Sequence, residues 1–338
     1  MARCISSFLS CQPLRHSATA RDASDRRATL GARAAIKQCP PVEIPTLLLI
    51  LATYGGWLAI THAYALLPLA IVAPVTAVLI TLHSSLQHEI VHGHPTRWRS
   101  LNRLFAIVPL TLWLPYERYR KTHHAHHKDE RLTDPVDDPE SFYWTPEDWA
   151  RLSPIVRAFL KIEHTLAGRI AIGAFWRIAL FLGIELRALI RNEEGVRHAW
   201  LEHLLWCVPV VLWLTVACGV PLWIYFLAMV VPANAIQLIR SFAEHRARAT
   251  VPQRIAIVER SWILGPLFLF NNLHLLHHES PAVPWYRMDA LYRRERERLL
   301  ALNDGLVYRG YFDVARRYLF RVHDALTHPT GRVPARGA

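Results

Sequence analysis

Charged residues are absent from most of two long stretches of the sequence. Residues 45–87 contain no Asp, Glu, Lys or Arg, and residues 201–239 contain only Glu202. Water-soluble helices rarely run so far without charge, whereas a membrane-spanning helix needs about 20 apolar residues. Each stretch is long enough for two spans joined by a tight turn, so we predict four spans in two hairpins. We place them at about residues 45–63, 67–87, 201–217 and 221–240.

Cysteine is scarce, and several cofactor motifs are missing. None of the five cysteines has C-x-x-C spacing, and the sequence contains neither a C-x-x-C-H haem-attachment motif nor a G-x-G-x-x-G turn. These absences argue against a disulfide framework, a c-type haem, a cysteine-bound iron–sulfur cluster and a Rossmann dinucleotide site. The cysteines are compatible with a reducing compartment.

Positive charge is plentiful but lies outside the apolar stretches. The net charge is +12, a balance that suits nucleic acid, anionic lipid or an anionic substrate. No feature of the sequence other than its net charge supports binding to nucleic acid. Residues 1–40 carry seven Lys or Arg, and we interpret them as a basic, disordered tail rather than a targeting peptide, because nothing marks a cleavage site. A second disordered tail is predicted at residues 326–338, which leaves 41–325 as one membrane domain.

The predicted spans also fix the topology. Four spans put both termini and residues 88–200 on one side of the membrane, and the two far-side turns lack Lys and Arg. The positive-inside rule then assigns the near side to the cytoplasm, with a bacterial inner membrane as the expected location. Residues 165–192 mix apolar and charged side chains and are interpreted as an amphipathic surface helix. The fold class is therefore an all-α, multi-pass membrane protein with a cytoplasmic helical cap.

Histidine is concentrated in three short clusters outside the two apolar stretches. Their spacings of three and four residues put the imidazoles on one face of a helix. Neutral imidazole is a ligand for Fe, Zn, Cu or Ni, and eight such ligands are too many for one ion but suit two. We therefore predict a two-metal centre at the membrane surface, bound by His88, His92, His123, His126, His127, His274, His277 and His278.

Residues near these clusters complete the predicted centre. His245 follows the fourth predicted span on the same side of the membrane and is a candidate ninth ligand. Asn271 lies one helical turn before His274, where it could hold a metal-bound water. Metal-bound imidazoles usually donate their other N–H to a carboxylate or carbonyl. The candidate carboxylates are Glu89, Asp129, Asp134, Asp137, Asp138, Glu244 and Glu279.

The three clusters resemble the histidine boxes of the membrane fatty acid desaturase family. That family has H-x-x-x-H, then H-x-x-H-H, then a distant H-x-x-H-H, as the clusters have here over about residues 45–290. The segment Tyr119–His123 is similar to the aromatic-Arg approach to the second box, and Asn271–His274 followed by Val283–Tyr286 resembles bacterial members.

This resemblance implies four spans, a cytoplasmic cap and two irons held mostly by histidine, with a ninth histidine that His245 would match. It implies that O2 is a co-substrate, and that no catalytic residue is needed beyond the metal ligands. Because the chain has no electron-carrier motif, a separate ferredoxin or small cytochrome would supply electrons. An arginine-rich face is the candidate docking surface for that carrier. It includes Arg293, Arg294, Arg296 and Arg298.

Several functions stay open at this point. An acyl-lipid desaturase that introduces a C=C bond is the first choice, and a hydroxylase or ketolase acting on a lipid or carotenoid is the alternative. His88-Glu89-Ile90-Val91-His92 also matches the H-E-x-x-H motif of zinc proteases. An intramembrane protease would leave six cluster histidines unexplained, however. A metal transporter or sensor would favour ligands inside the spans, where His83 is the candidate.

Overall fold

The structure is a computed structural model that describes residues 41–127 and 131–329. The predicted tail at 1–40 lies outside the described residues. At the other end, Leu326 and His328 exchange backbone hydrogen bonds with Trp144. The folded part therefore extends a few residues into the predicted tail at 326–338.

Five helices are long and apolar enough to cross a membrane, by length and composition. Apolar side chains on their outer faces, such as Leu51 and Val216, are 69% and 77% exposed, which suits contact with lipid. The chain is thus a multi-pass membrane protein. The five helices are α1 (Ile44–Ala65), α2 (Leu69–Val91), α7 (Leu166–Ile190), α8 (Val196–Ala217) and α9 (Leu222–Glu244).

The first and second hairpins pack against each other around a buried core of large side chains. Inside this core, the indole N–H of Trp57 donates to the hydroxyl of Tyr225 at 3.0 Å, and that hydroxyl donates to the Leu110 carbonyl at 2.7 Å. Hydroxyls within the helices bond to their own backbone, as Thr76 does to the Val72 carbonyl. Polar groups in an apolar environment are satisfied internally in this way.

The fifth long helix, α7, covers the region for which the sequence predicts a surface helix. Arg169, near its start, and Arg177, near its middle, bind the carboxylate of Glu163, which is fully buried. Towards its end, Glu185 accepts two hydrogen bonds from Arg118, each 2.8 Å long. Both ends of α7 are therefore tied to segments outside the long helices.

The other described elements, together with the loops between them, form a unit that we call the cap. Its two strands pair in parallel, Ile257 with Val307 and Val258 with Tyr308, and bring distant segments together. The elements are α3 (Arg99–Ala106), α4 (Tyr116–His126), α5 (Pro146–Arg151), α6 (Pro154–Glu163), β1 (Ile257–Val258), α10 (Leu264–Leu267), α11 (His274–Glu279), α12 (Trp285–Leu302), β2 (Val307–Tyr308) and α13 (Tyr311–Tyr318).

Candidate metal centre

The histidine clusters lie at helix ends, where the backbone can turn several imidazoles toward one point. His88 is in the last turn of α2, and His92 follows that helix directly. The second cluster ends α4, the third forms most of α11, and His245 comes one residue after α9. Four elements that are distant in sequence thus contribute to one site.

Five of the nine predicted ligands form the first histidine group. The Nε2 atom of His123 lies 3.1 Å from the Nε2 atoms of both His92 and His127. His277 Nε2 is 3.2 Å from His127 Nε2, and the rings of His88 and His277 are 4.5 Å apart. One nitrogen from each of the five lies within 4.8 Å of the others.

The remaining four form the second histidine group. His245 Nε2 lies 3.1 Å from His126 Nε2 and 2.9 Å from His274 Nε2, and His278 Nε2 is 3.1 Å from His274 Nε2. The two groups touch, because the rings of His127 and His278 stack with their centroids 4.2 Å apart. The structure thus brings all nine predicted ligands together, as two adjacent sets.

Carboxylates contact several of the imidazoles at Nδ1, the ring nitrogen that faces away from the histidine groups. His123 Nδ1 lies 3.1 Å from a Glu140 oxygen, and His126 Nδ1 lies 3.0 Å from an Asp138 oxygen. His274 Nδ1 is 3.3 Å from Glu244. Carboxylates on Nδ1 fix the tautomer that leaves Nε2 as a lone-pair donor, which is the arrangement around bound metals. Converging lone pairs repel one another unless a cation lies between them, so the donor set fits two metal ions.

Asn271 lies where the two groups meet. Its amide oxygen is 3.1 Å from His274 Nδ1 in the second group, and its amide nitrogen is 3.4 Å from His88 Nε2 in the first. Both contacts are buried. Asn271 therefore joins the two sets of imidazoles.

The carboxylates named from the sequence divide into two sets. Asp138 and Glu244 contact cluster imidazoles, whereas Glu89 accepts a hydrogen bond from the Trp285 backbone, 3.2 Å long. Asp137 and Glu279 pair with Arg131 and Arg298, and Asp134 accepts backbone hydrogen bonds in its own loop. Asp129 lies outside the described residues.

Glu140 contacts His123 in the first histidine group, and the sequence did not single it out. It belongs to the loop of Asp and Pro residues that follows the second cluster, and this composition was its only signal. His83, by contrast, stays away from both groups and lies 3.0 Å from the hydroxyl of Tyr54, as a buried core histidine would.

The electrostatic environment differs between the imidazoles. Burial lowers the pKa of His92, His127 and His277, so these rings are neutral near pH 7 and can act as ligands. Burial would also lower the pKa of His126, but Glu140 and Asp138 raise it to about 9. Positive charge is thus favoured beside His126, and a bound cation would meet the same carboxylates.

A basic cavity of about 1310 Å³ opens beside the first histidine group. His92 lines it together with Arg99, Lys121 and His124, and five Arg or Lys line it against three Glu. Some of this charge is already neutralised, since Arg103 binds both Glu117 and Glu202. The cavity therefore combines access to the centre with positive charge.

Comparison with known proteins agrees with this site. A family model described as fatty acid desaturase matches residues 64–311, a span that includes all three histidine clusters and His245. No curated protein matches the chain. Because the match covers well over half of the sequence, the chain belongs to the fatty acid desaturase family.

Proposed function

We propose that this protein is an O2-dependent, di-iron oxidoreductase that introduces a C=C bond into the acyl chain of a lipid. The observation that carries the proposal is the convergence of nine imidazoles in two adjacent groups, in a chain that belongs to this family. Removing two hydrogens from neighbouring carbons, with O2, two electrons and two protons, gives the alkene and two waters.

The two histidine groups would each hold one iron. The first would use His88, His92, His123, His127 and His277, and the second His126, His245, His274 and His278. Bound iron would supply the strong oxidant that an unactivated C–H bond requires. The chain's contribution is to hold both sites with neutral ligands, which add no charge beside an apolar substrate, and to orient them through Glu140, Asp138 and Glu244.

The substrate that suits this site is an acyl chain with an anionic headgroup. Arg99 and Lys121 line the cavity that reaches His92, and their charge would attract a phosphate or carboxylate at its mouth. The apolar helices beside the cavity would deliver the chain from the bilayer. Positioning of this kind determines which carbon lies next to iron.

The parity of membrane crossings supports four spans. His126 and His245 have Nε2 atoms 3.1 Å apart, so they must lie on the same side of the membrane. The three candidate helices α7, α8 and α9 lie between them in sequence, and only an even number can cross.

We assign α7 to the membrane surface. Arg169 binds Glu163 near one end and Glu185 binds Arg118 near the other, and both partners belong to the cap. A crossing helix would carry one of these ends to the opposite side. With α1, α2, α8 and α9 as spans, the cap and both termini would lie in the cytoplasm, by the positive-inside rule.

A separate electron carrier, either a ferredoxin or a small cytochrome, belongs to the proposal. Intramolecular pairs use part of the arginine-rich face, since Arg296 binds Glu259 and Arg298 binds Glu279. Arg293 likewise pairs with Asp289. An acidic carrier would therefore rely on exposed arginines of α12 such as Arg294.

Product and metal analysis of an expressing host tests the proposal. The chain, its His277→Ala variant and a His62→Ala control, which alters an exposed histidine outside both groups, would be compared for bound metal and for lipid and carotenoid products. We expect two irons per chain and new double bonds with the wild type and the control, and neither with His277→Ala.

Other outcomes would select the alternatives. A hydroxylated or ketonic product that depends on His277 would identify the hydroxylase or ketolase, which uses the same ligands. One zinc per chain would instead favour the H-E-x-x-H protease. Metal binding without any new product would point to a transporter or sensor.

A further inference from the structure

Four large apolar side chains that follow the two strands of the cap are unusually exposed. Trp262 and Ile263 are 85% and 84% exposed, and Phe312 and Phe320 are 84% and 80% exposed. We call these four residues the aromatic patch. None of them belongs to a long apolar helix, so the proposed spans do not explain their exposure.

The parallel strands bring the two halves of the patch together. Val258 of β1 pairs with Tyr308 of β2, and Trp262 and Phe312 each lie four residues further along. Because the strands run in the same direction, both segments leave them at the same end. An added Cβ on Gly310 would lie 3.6 Å from the Glu259 and Arg260 carbonyl oxygens, which shows how closely the segments approach.

Helix α13 extends the patch into a stripe. Phe312 and Arg316 lie four residues apart on its exposed face, and Phe320, also exposed, comes two residues after the helix ends. Val314 on the opposite side is fully buried. The outward side of this segment thus combines apolar and basic side chains, as in helices that lie in a membrane interface.

The patch lies close to where two membrane helices end on the site side. Val314 packs in one cluster with Phe242 and Ala243, in the last turn of α9. On the other flank, Leu269 packs with Leu86 and Ile90, near the end of α2. The segments that carry the patch are therefore packed against the ends of membrane helices on the site side.

Arginines border the aromatic patch. Arg260 precedes Trp262, Arg309 precedes Phe312, and Arg321 follows Phe320. Aromatic rings beside guanidinium groups suit the boundary between acyl chains and anionic headgroups. A protein partner could also use Trp, Phe and Arg, but continuity with the helix ends favours lipid.

We propose that the aromatic patch inserts into the leaflet on the site side of the membrane and forms an attachment separate from the spans. Trp262, Ile263, Phe312 and Phe320 would enter the acyl boundary, and the bordering arginines would bind anionic phosphates. The attachment would hold the segment between His245 and His274 against the bilayer. It does not depend on the reaction that the metal centre catalyses.

Fluorescence quenching in nanodiscs tests the proposal. The full chain and its Trp262→Phe variant would be reconstituted with phosphatidylcholine and phosphatidylglycerol, with or without bromine near the top of the acyl chains. The difference between the two proteins isolates the emission of Trp262. We expect brominated lipid to reduce that emission by about twofold or more, because the indole would touch the shallow acyl region.

A matched control and a charge variant sharpen the result. The Trp149→Phe variant isolates the emission of Trp149, a half-buried tryptophan of the cap that lies outside the patch. Brominated lipid should quench this emission much less than that of Trp262. Quenching of Trp262 should be stronger with phosphatidylglycerol than with phosphatidylcholine alone, and Arg260→Glu with Arg309→Glu should remove that difference. Equal quenching in the two lipids would overturn the role of the arginines.

One outcome would overturn the insertion itself. If brominated lipid did not quench Trp262 emission and aqueous iodide did, the patch would face the aqueous phase rather than the bilayer. A protein partner would then be its occupant. Because Trp262 is exposed, its substitution should not unfold the chain, and loss of the reaction has no bearing on this readout.

Discussion

Glu140 binds the outer nitrogen of His123 with an oxygen 3.1 Å away. Loss of a carboxylate that orients a ligating imidazole typically reduces metal affinity or activity by about 10- to 100-fold. We therefore predict that Glu140→Ala lowers iron content or product formation by about that factor. Bound iron and product per chain would be measured in the same membranes.

Glu147→Ala is the matched control for this change. Glu147 is exposed, lies seven residues further along the chain, and belongs to helix α5 rather than to the histidine site. It should behave as the wild type does. If Glu140→Ala also retained full iron and activity, Glu140 would have no part in holding the centre.

Among individual residues, the sequence identified the histidines better than the carboxylates that contact them. Spacings of three and four residues within a helix bring side chains to one face, so local periodicity was enough to select the histidines. Glu140 and Asp138 reach His123 and His126 through a loop whose path depends on the folded cap. No spacing rule applies to such a loop, which is why Asp137 and Glu279 were equally good candidates before the structure.

Helix α7 is joined to the second histidine cluster through Glu185. Arg118, on the helix that carries that cluster, donates two hydrogen bonds to Glu185, and the Trp200 indole donates a third at 2.9 Å. Removing one charge of a buried pair leaves the other without compensation and costs about 3–5 kcal/mol. Glu185→Gln should therefore clearly lower the melting temperature of the purified protein, measured by scanning fluorimetry.

Glu194→Gln provides the comparison for Glu185→Gln. Glu194 is exposed and lies just after the end of α7, so its neutralisation should leave the melting temperature almost unchanged. Equal melting temperatures for the two variants would mean that the Arg118–Glu185 pair does not hold α7 to the cap.

The start of α7 gives a prediction on pH. Burial alone would raise the pKa of Glu163, but Arg177, His164 and Arg169 lower it from 4.5 to about 2. A depressed carboxyl pKa stabilises the fold above the ordinary value, and this contribution is lost as the pH falls toward 2. Glu163→Gln should therefore melt below the wild type at pH 7, and the difference should shrink between about pH 4.5 and 2.

Melting curves across this pH range would measure the difference directly. Glu147→Gln, at an exposed position, should show no such convergence with the wild type. A gap between Glu163→Gln and the wild type that stays constant down to low pH would show that ionised Glu163 contributes nothing to stability.

At the element scale, the apolar stretches anticipated helices but could not describe α7. The first two long helices, Ile44–Ala65 and Leu69–Val91, occupy the region where the absence of charge placed the first hairpin. Helix α7 is nearly as apolar, yet Arg169, Arg177 and Glu185 find partners in the cap. Whether such a helix crosses or lies flat depends on those partners, and composition does not reveal them.

On the scale of the whole molecule, the site itself constrains the topology. Helices α7, α8 and α9 separate the second cluster from His245 in sequence. The Nε2 atoms of His126 and His245 are nevertheless 3.1 Å apart. With α7 on the surface, the loops at Leu66 and at Gly219 would face the side of the membrane opposite to the cap. Residue 194, between α7 and α8, would lie on the same side as the cap.

Cysteine labelling in intact cells would test this arrangement. We expect that a membrane-impermeant maleimide labels Leu66→Cys and Gly219→Cys in intact cells, in a background without the native cysteines. Glu194→Cys should react only after the cells are opened, because it would lie in the cytoplasm with the cap. If Glu194→Cys reacted in intact cells, α7 would cross the membrane, which would carry either α8 or α9 out of a spanning position because the histidine site permits only two crossings.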